Sequence, residues 1–142
     1  MSNNTQQEAN KKEFKPFEGE YVVTLDDAKQ EAFKNGSGTK MVLKFKVAKG
    51  DLKDRVIFHD LPIEHSSKNY RLSGEKGADL LFKALGLENG LTQAGDDIAS
   101  LVDYIGDQVV AVTYIEKGGT YTKDGVEKLG KDRTRIRMFK TR

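Results

Sequence analysis

The chain has no cysteine, no tryptophan, only two histidines and no long apolar run. Without cysteine there is no disulfide framework, no thiolate chemistry and no Cys-based zinc site. Without tryptophan, any stacking on a flat ligand falls to Phe, Tyr, His or Arg. His59 and His65 are too few and too isolated for a metal site or a base–nucleophile pair, and His59, on a strand, reads as a partly buried hydrogen-bonding side chain. No stretch approaches the roughly 20 apolar residues of a membrane-spanning helix. The first twelve residues are Asn/Gln-rich and have no apolar core, unlike a secretory signal. Gly36-Ser37-Gly38 and Gly118-Gly119 are not followed by the Gly-Lys-Ser/Thr of a phosphate-cradling loop. Asp26-Asp27 would point to opposite faces of a strand, and Asp96-Asp97 reads as favourable charge at a helix start. These absences describe a soluble, cytoplasmic protein with no cofactor, no metal site, no membrane partner and no catalytic set: not an enzyme.

What is present is charge, and its placement matters more than its sum. Charged residues make up 32% of the chain, yet the net charge is only +2. From Lys117 to Arg142 there are nine basic residues and three acids, a net of +6, so the rest of the chain carries −4. That asymmetry fits a face that binds a polyanion; a basic tail or hairpin is the plainer alternative.

Residues 1–13 are polar and low in apolar content, the composition of a disordered tail preceding one domain over 14–142. Phe14-Lys15-Pro16-Phe17 is the first apolar anchor. Gly19 opens a strand over 20–28 with Tyr21, Val23 and Leu25 on one face, and the glycines of Asn35-Gly36-Ser37-Gly38 allow a reversal. Residues 39–47 alternate cleanly: Met41, Leu43, Phe45 and Val47 on one side, Lys40, Val42, Lys44 and Lys46 on the other. After a turn at Lys49-Gly50-Asp51, a third strand over 55–61 is expected to stop at Pro62. Residues 63–72 show no period and read as an irregular connection. Ser73 can cap a helix over 74–85, with Ala78, Leu81, Phe82 and Leu85 as its apolar stripe and Gly86 as its stop. A short helix fits 96–102. The run Val109-Val110-Ala111-Val112 predicts a fourth strand, over 108–115, buried on both faces. Residues 116–131, rich in Gly and Lys, form a long loop or an excursion hairpin around Tyr121.

In the final strand-like run, alternation sends Thr134, Ile136 and Met138 one way and Arg133, Arg135, Arg137 and Phe139 the other. One face suits a core. The other is a row of guanidinium groups ending in a ring, suited to a phosphate backbone with unpaired bases beside it; the plainer reading is an edge kept soluble by charge. Three strands, a helical crossover and two strands give the order of a five-stranded OB-type Greek-key barrel, mainly β, with its helix between strands 3 and 4. An open α+β sheet sandwich is the alternative.

The ordered series Phe17-Glu18-Gly19-Glu20-Tyr21-Val22-Val23, Ser37-Gly38-Thr39-Lys40-Met41-Val42-Leu43, Arg55-Val56-Ile57-Phe58, Leu81-Phe82-Lys83-Ala84-Leu85-Gly86 and Leu101-Val102-Asp103-Tyr104-Ile105-Gly106-Asp107-Gln108-Val109 resembles a family of small phage and prophage proteins long catalogued as of unknown function. Members are associated with single-stranded DNA binding in phage replication and recombination. The resemblance covers roughly residues 14–139. It implies an OB-type barrel, a sequence-tolerant site for single-stranded DNA, no enzymatic activity and a setting in the bacterial host cytoplasm. The chain ends Phe139-Lys140-Thr141-Arg142 rather than in an acidic tail, so recruitment of partners through such a tail is not expected.

The candidate contacts are Lys40, Lys44 and Lys46 on the second strand, Arg133, Arg135 and Arg137 on the last, and Lys117 and Lys123 in the preceding loop. The candidate rings are Phe58, Tyr70 (with its neighbour Arg71), Tyr121 and Phe139; Phe58, alternating with Val56, reads first as core, and Phe139, near the end of the last strand, has capping the barrel as its alternative. The expectation is that these arginines and lysines line one trough for single-stranded DNA, with RNA as a variant. The alternative is a protein-interaction module of a phage replication or recombination complex. Analogy with small OB proteins favours a homodimer or larger assembly.

Overall fold

A computed structural model of the protein describes residues 15–142; the expected tail over 1–13, and Phe14, lie outside them. The chain runs through β1 (Gly19–Ala32), β2 (Gly38–Val47), β3 (Val56–His65), α1 (Lys68–Ala84), a one-turn helix (Gly90–Gln93), a 3-10 helix (Ile98–Tyr104), β4 (Gln108–Glu116), β5 (Thr120–Lys123), β6 (Val126–Leu129) and β7 (Arg133–Lys140). Five strands form one antiparallel sheet in the order β3-β2-β1-β4-β7, and β5 and β6 make a separate hairpin. The protein is therefore mainly β. No ladder joins β3 to β7, so the sheet is open and the expected barrel is not closed.

Two local features make these edges poor partners. Pro62 offers no N–H and sits beside the bulge where Thr39 pairs with Glu64 but Lys40 pairs with Pro62. On the other edge, Val112 pairs with Met138 and Thr113 with Ile136, leaving Arg137 as an extra, bulged residue. The helix α1 packs against both β3 and β7 and so bridges the gap at one end.

The alternation read in β1 and β2 holds: Val23, Leu25, Met41, Leu43, Phe45 and Val47 are all buried. They meet Ala78, Leu81 and Phe82 of α1 and Ile98 and Leu101 of the 3-10 helix in one core. The curl of the sheet brings Phe45 of β2 to Phe139 of β7, ring centroids 5.4 Å apart. Gly38 is obligatory: its φ is +152°, and a Cβ there would lie 1.8 Å from the Glu64 carbonyl oxygen.

Several expectations are corrected. Pro62 does not end β3, which continues to His65 because an edge strand tolerates a missing donor at a bulge. Residues 63–72 are strand and then helix, not an irregular connection. The N-cap is Ser67, whose hydroxyl accepts from the Tyr70 amide, and Ser73 lies inside α1, donating to the Tyr70 carbonyl. Gly74 and Gly77 let this helix close on β3: a Cβ on Gly74 would stand 2.0 Å from the Pro62 carbonyl oxygen, and one on Gly77 2.9 Å from Leu61. In β4, Val109 and Ala111 are buried while Val110 and Val112 are only half covered, so one face is core rather than both.

The largest departure is in β7. The bulge at Arg137 breaks strict alternation and flips every residue after it. Ile136 and Phe139 are both buried, each 6% exposed, and Met138, expected in the core, faces solvent.

Candidate nucleic-acid interface

Antiparallel pairing at each step from β3 through β2, β1 and β4 to β7 makes the two edge strands run in the same direction. A seam lies between them with a depression at each end. Val56 and Phe58 of β3 face Arg133 and Thr134 of β7 across a groove of about 910 Å³, completed by the β2–β3 turn. Further along, Asp60–Pro62 and Ile136–Phe139 line a cleft of about 340 Å³, which Tyr70, Lys76 and Leu80 of α1 wall off.

The first groove holds an exposed ring. Phe58 is 55% exposed, so it is not core, and it stands opposite Lys44 in the β2–β3 register. Lys53, Arg55 and Arg133 line the groove, as do Asp51, Asp54 and Asp132. Arg55 is held in place: its guanidinium donates to the Lys15 carbonyl at 2.6 Å and lies 5.1 Å from the Phe17 ring centroid. Asp132 is engaged at the groove's rim, where its carboxylate accepts from the Gly118 amide at 2.9 Å and from Lys117 Nζ at 3.3 Å. Those bonds, the backbone one foremost, hold its pKa below the usual carboxylate value.

Asp132 thereby pins the base of the β5–β6 hairpin, where Gly118 and Gly130 pass so closely that no Cβ would fit on Gly118. The hairpin turns at Asp124-Gly125, both with positive φ (54° and 75°), the geometry an Asp-Gly turn adopts. All eight of its strand residues are exposed. Register puts Tyr121 beside Lys128 and Lys123 beside Val126, so a tyrosine and two lysines share one face, with Glu127 on the other.

The expected single trough of β2 lysines and β7 arginines is not formed. Lys40 is bound to Asp60 at 2.8 Å, and Lys44 and Lys46 share Asp26 at 3.3 and 3.8 Å. Lys117 pairs with Asp132 and Arg135 with Glu116. Arg133 opens on the groove, and Arg137, displaced by the bulge, lies over the Tyr114 ring at 5.4 Å. Phe139, assigned to the arginine face, is in the core. Tyr121 and Lys123 are exposed on the hairpin, as expected for the loop before the last strand. Tyr70 is 44% exposed in the first turn of α1, and Arg71 beside it is half-buried, its Nε without a partner among the described residues.

The sequence reading missed Lys53, Arg55 and Lys128. Arg55 was legible only as the start of a strand; the Asp124-Gly125 dipeptide between short apolar–polar runs was the available sign of the hairpin that places Lys128 beside Tyr121. His59, expected to hydrogen-bond, instead packs edge-on against Phe139, centroids 5.4 Å apart. Burial lowers its pKa to about 4, with Asp60 opposing and Arg135 adding to the shift. Among the described residues no cluster of His, Asp or Glu is arranged to hold a metal ion, and no helix is long and apolar enough to cross a membrane.

The sequence matches, over residues 4–123, a family described as a protein of unknown function (DUF669). No curated protein matches the chain. The match spans most of the sequence, and the chain belongs to this family.

Proposed function

We propose that this DUF669 protein is a phage-type single-stranded DNA-binding protein, acting in DNA replication or recombination with little sequence preference. Phe58 carries the reading. Its ring lies open on the outer face of β3, in a groove with Arg55, Lys53 and Arg133 and across the ladder from Lys44. A bare π-face between cations is what an unpaired base and its phosphates require. A duplex keeps its bases stacked inside and offers that ring nothing. The hairpin at the groove's rim adds Tyr121, Lys123 and Lys128 on one face.

Strand order supports an OB-type Greek key left partly open. Three strands, a helix and two further strands, paired β3-β2-β1-β4-β7, suit that architecture. Its ligand surface comprises strands 2 and 3 and the hairpin loops after the first and fourth strands. Phe58 and the β5–β6 hairpin fall on those elements.

The carboxylates in the groove offset part of its positive charge, so stacking carries more of the affinity than in an all-basic channel. With two or three phosphates neutralised, the slope of log K against log salt is about −1.4 to −2.1, at roughly −0.7 per phosphate. Fluorescence anisotropy with oligo-dT, a matched duplex and single-stranded RNA across a salt series tests this. Preference for oligo-dT over duplex is expected, and Phe58→Ala lowers affinity by the roughly 1–3 kcal/mol of one stacked base. Equal binding of duplex and single strand, or an unaffected Phe58→Ala variant, refutes the reading.

One observation favours a second reading, a protein-interaction module within a phage replication or recombination complex. Val126 and Leu129 on the hairpin are 57% and 75% exposed. Unchanged tyrosine emission on titration with oligonucleotide at low salt would select that reading. Assembly into a homodimer or larger oligomer belongs to the proposal and is checked by sedimentation.

A further inference from the structure

A second group of rings lies at the opposite end of β3 from Phe58. Phe33 follows β1, His65 ends β3 and Tyr70 opens α1. Their ring centroids stand 5.0 Å (Phe33–His65), 4.7 Å (His65–Tyr70) and 6.0 Å (Phe33–Tyr70) apart. None belongs to the buried core: Phe33 and His65 are half-buried, and Tyr70 is 44% exposed. Three elements thus converge to build a cluster that stays partly wet. Lys40 Nζ lies 5.2 Å from the Phe33 centroid, and both residues line a depression of about 350 Å³. The cluster is held in shape, since the Phe33 amide donates to the Gly38 carbonyl and His65 Nδ1 accepts from the Ser67 amide.

From these positions we infer that Phe33, His65 and Tyr70 form a second base-stacking station, and that a bound single strand runs along β3 from Phe58 to this cluster. The inference rests on the single-strand reading of the Phe58 groove and adds a direction and a length to it. Tyr70 also walls the cleft on the seam, together with Asp60 and Pro62 of β3, which lie between the two stations. Seven residue steps separate Phe58 from His65, about 23 Å at roughly 3.3 Å per step. At the roughly 3.4 Å rise of stacked nucleotides, a strand of about seven reaches both stations, and a more extended one needs fewer.

The test measures affinity against length, with dT4, dT8, dT12 and dT16. Wild-type affinity rises by on the order of tenfold or more between dT4 and dT12, as the second station is reached. Tyr70→Leu, and the double variant Phe33→Leu/Tyr70→Leu, lose that rise and keep the dT4 affinity, whereas Phe58→Ala weakens dT4 itself. Photocrosslinking of wild-type protein to dT12 carrying one terminal 5-iodouracil gives a readout independent of variant folding: a label at one end reaches Phe58, and a label at the other reaches Phe33, His65 or Tyr70. A wild-type length profile unchanged by Tyr70→Leu, with crosslinks confined to the Phe58 end, overturns the second station and leaves the groove reading standing. No binding of any oligonucleotide overturns both.

Discussion

Acidification from pH 7 to pH 4 tests the packing of the seam through a single side chain. His59 faces β7, its ring edge-on to Phe139, and burial lowers its pKa from 6.5 to about 4. A histidine whose pKa falls on folding is neutral in the native state and takes up a proton on unfolding. Its contribution to stability is therefore whole above about pH 6.5 and is lost as pH falls toward 4. The fall from 6.5 to about 4 corresponds to about 3 kcal/mol at roughly 1.36 kcal/mol per pH unit, reduced to about 2 kcal/mol because the residue as a whole is only half-buried. Depressed carboxylates such as Asp79 act in the same sense, but their contribution is lost only below about pH 4, so the two windows separate. The assay is urea unfolding followed by circular dichroism at pH 7, 5.5 and 4.5. Wild type should lose most of that stability, about 2 kcal/mol, across this range. His59→Gln should be less stable at pH 7 yet nearly flat with pH. Parallel curves for the two proteins would refute the assignment of the loss to His59.

Four further outcomes follow from the packing and the groove. Phe139→Ala should cost about 3–5 kcal/mol in thermal or urea unfolding, since it empties a core site; a neutral result would return the ring to the surface. Gly74→Ala gains about 1 kcal/mol of helix propensity, yet its Cβ must displace the Pro62 carbonyl. Net destabilisation by about 1–3 kcal/mol is expected, and a stabilised variant would mean that α1 does not press on β3. Asp132→Ala should speed amide exchange at Gly118 without moving the global midpoint, and unchanged exchange would show that the hairpin base is held otherwise. Replacing Lys123 and Lys128 together with Ala should flatten the salt slope for oligo-dT by about 0.7 for each phosphate left without a cation, with the far-ultraviolet spectrum intact; an unaltered slope would place the strand away from the hairpin.

The sequence was most legible where side chains are periodic and paired with the core on one side. Met41, Leu43, Phe45 and Val47 announced β2, and Ala78, Leu81 and Phe82 announced the buried stripe of α1. Reading failed where one residue shifts the register. Nothing local in Arg133–Lys140 marks Arg137 as the bulged position; that follows from how β4 presents Val112 and Thr113 to it. The start of α1 was hidden for another reason: its first six residues, Lys68–Ser73, bury no side chain in the core, so no apolar period marks them. The site was legible in kind more than in arrangement. Tyr121 and Lys123 stand out by their lack of apolar company, but ion pairing of Lys40, Lys44, Lys46 and Arg135 depends on neighbours that are distant in sequence or on adjoining strands. Phe58 shows the same limit from the other side, because alternation with Val56 does not say which parity faces water.

The absent ladder between β3 and β7 has a mechanical consequence. Spreading these edges breaks no backbone hydrogen bond of the sheet; the resistance comes from the packing of Phe139 on His59 and Phe45 and from the strap of α1 across one end. The domain is in this sense a split ring, stiff along its β1–β4 spine and compliant at its lips, and the same compliance leaves two short strand margins that need Pro62 and the Arg137 kink to stay unjoined.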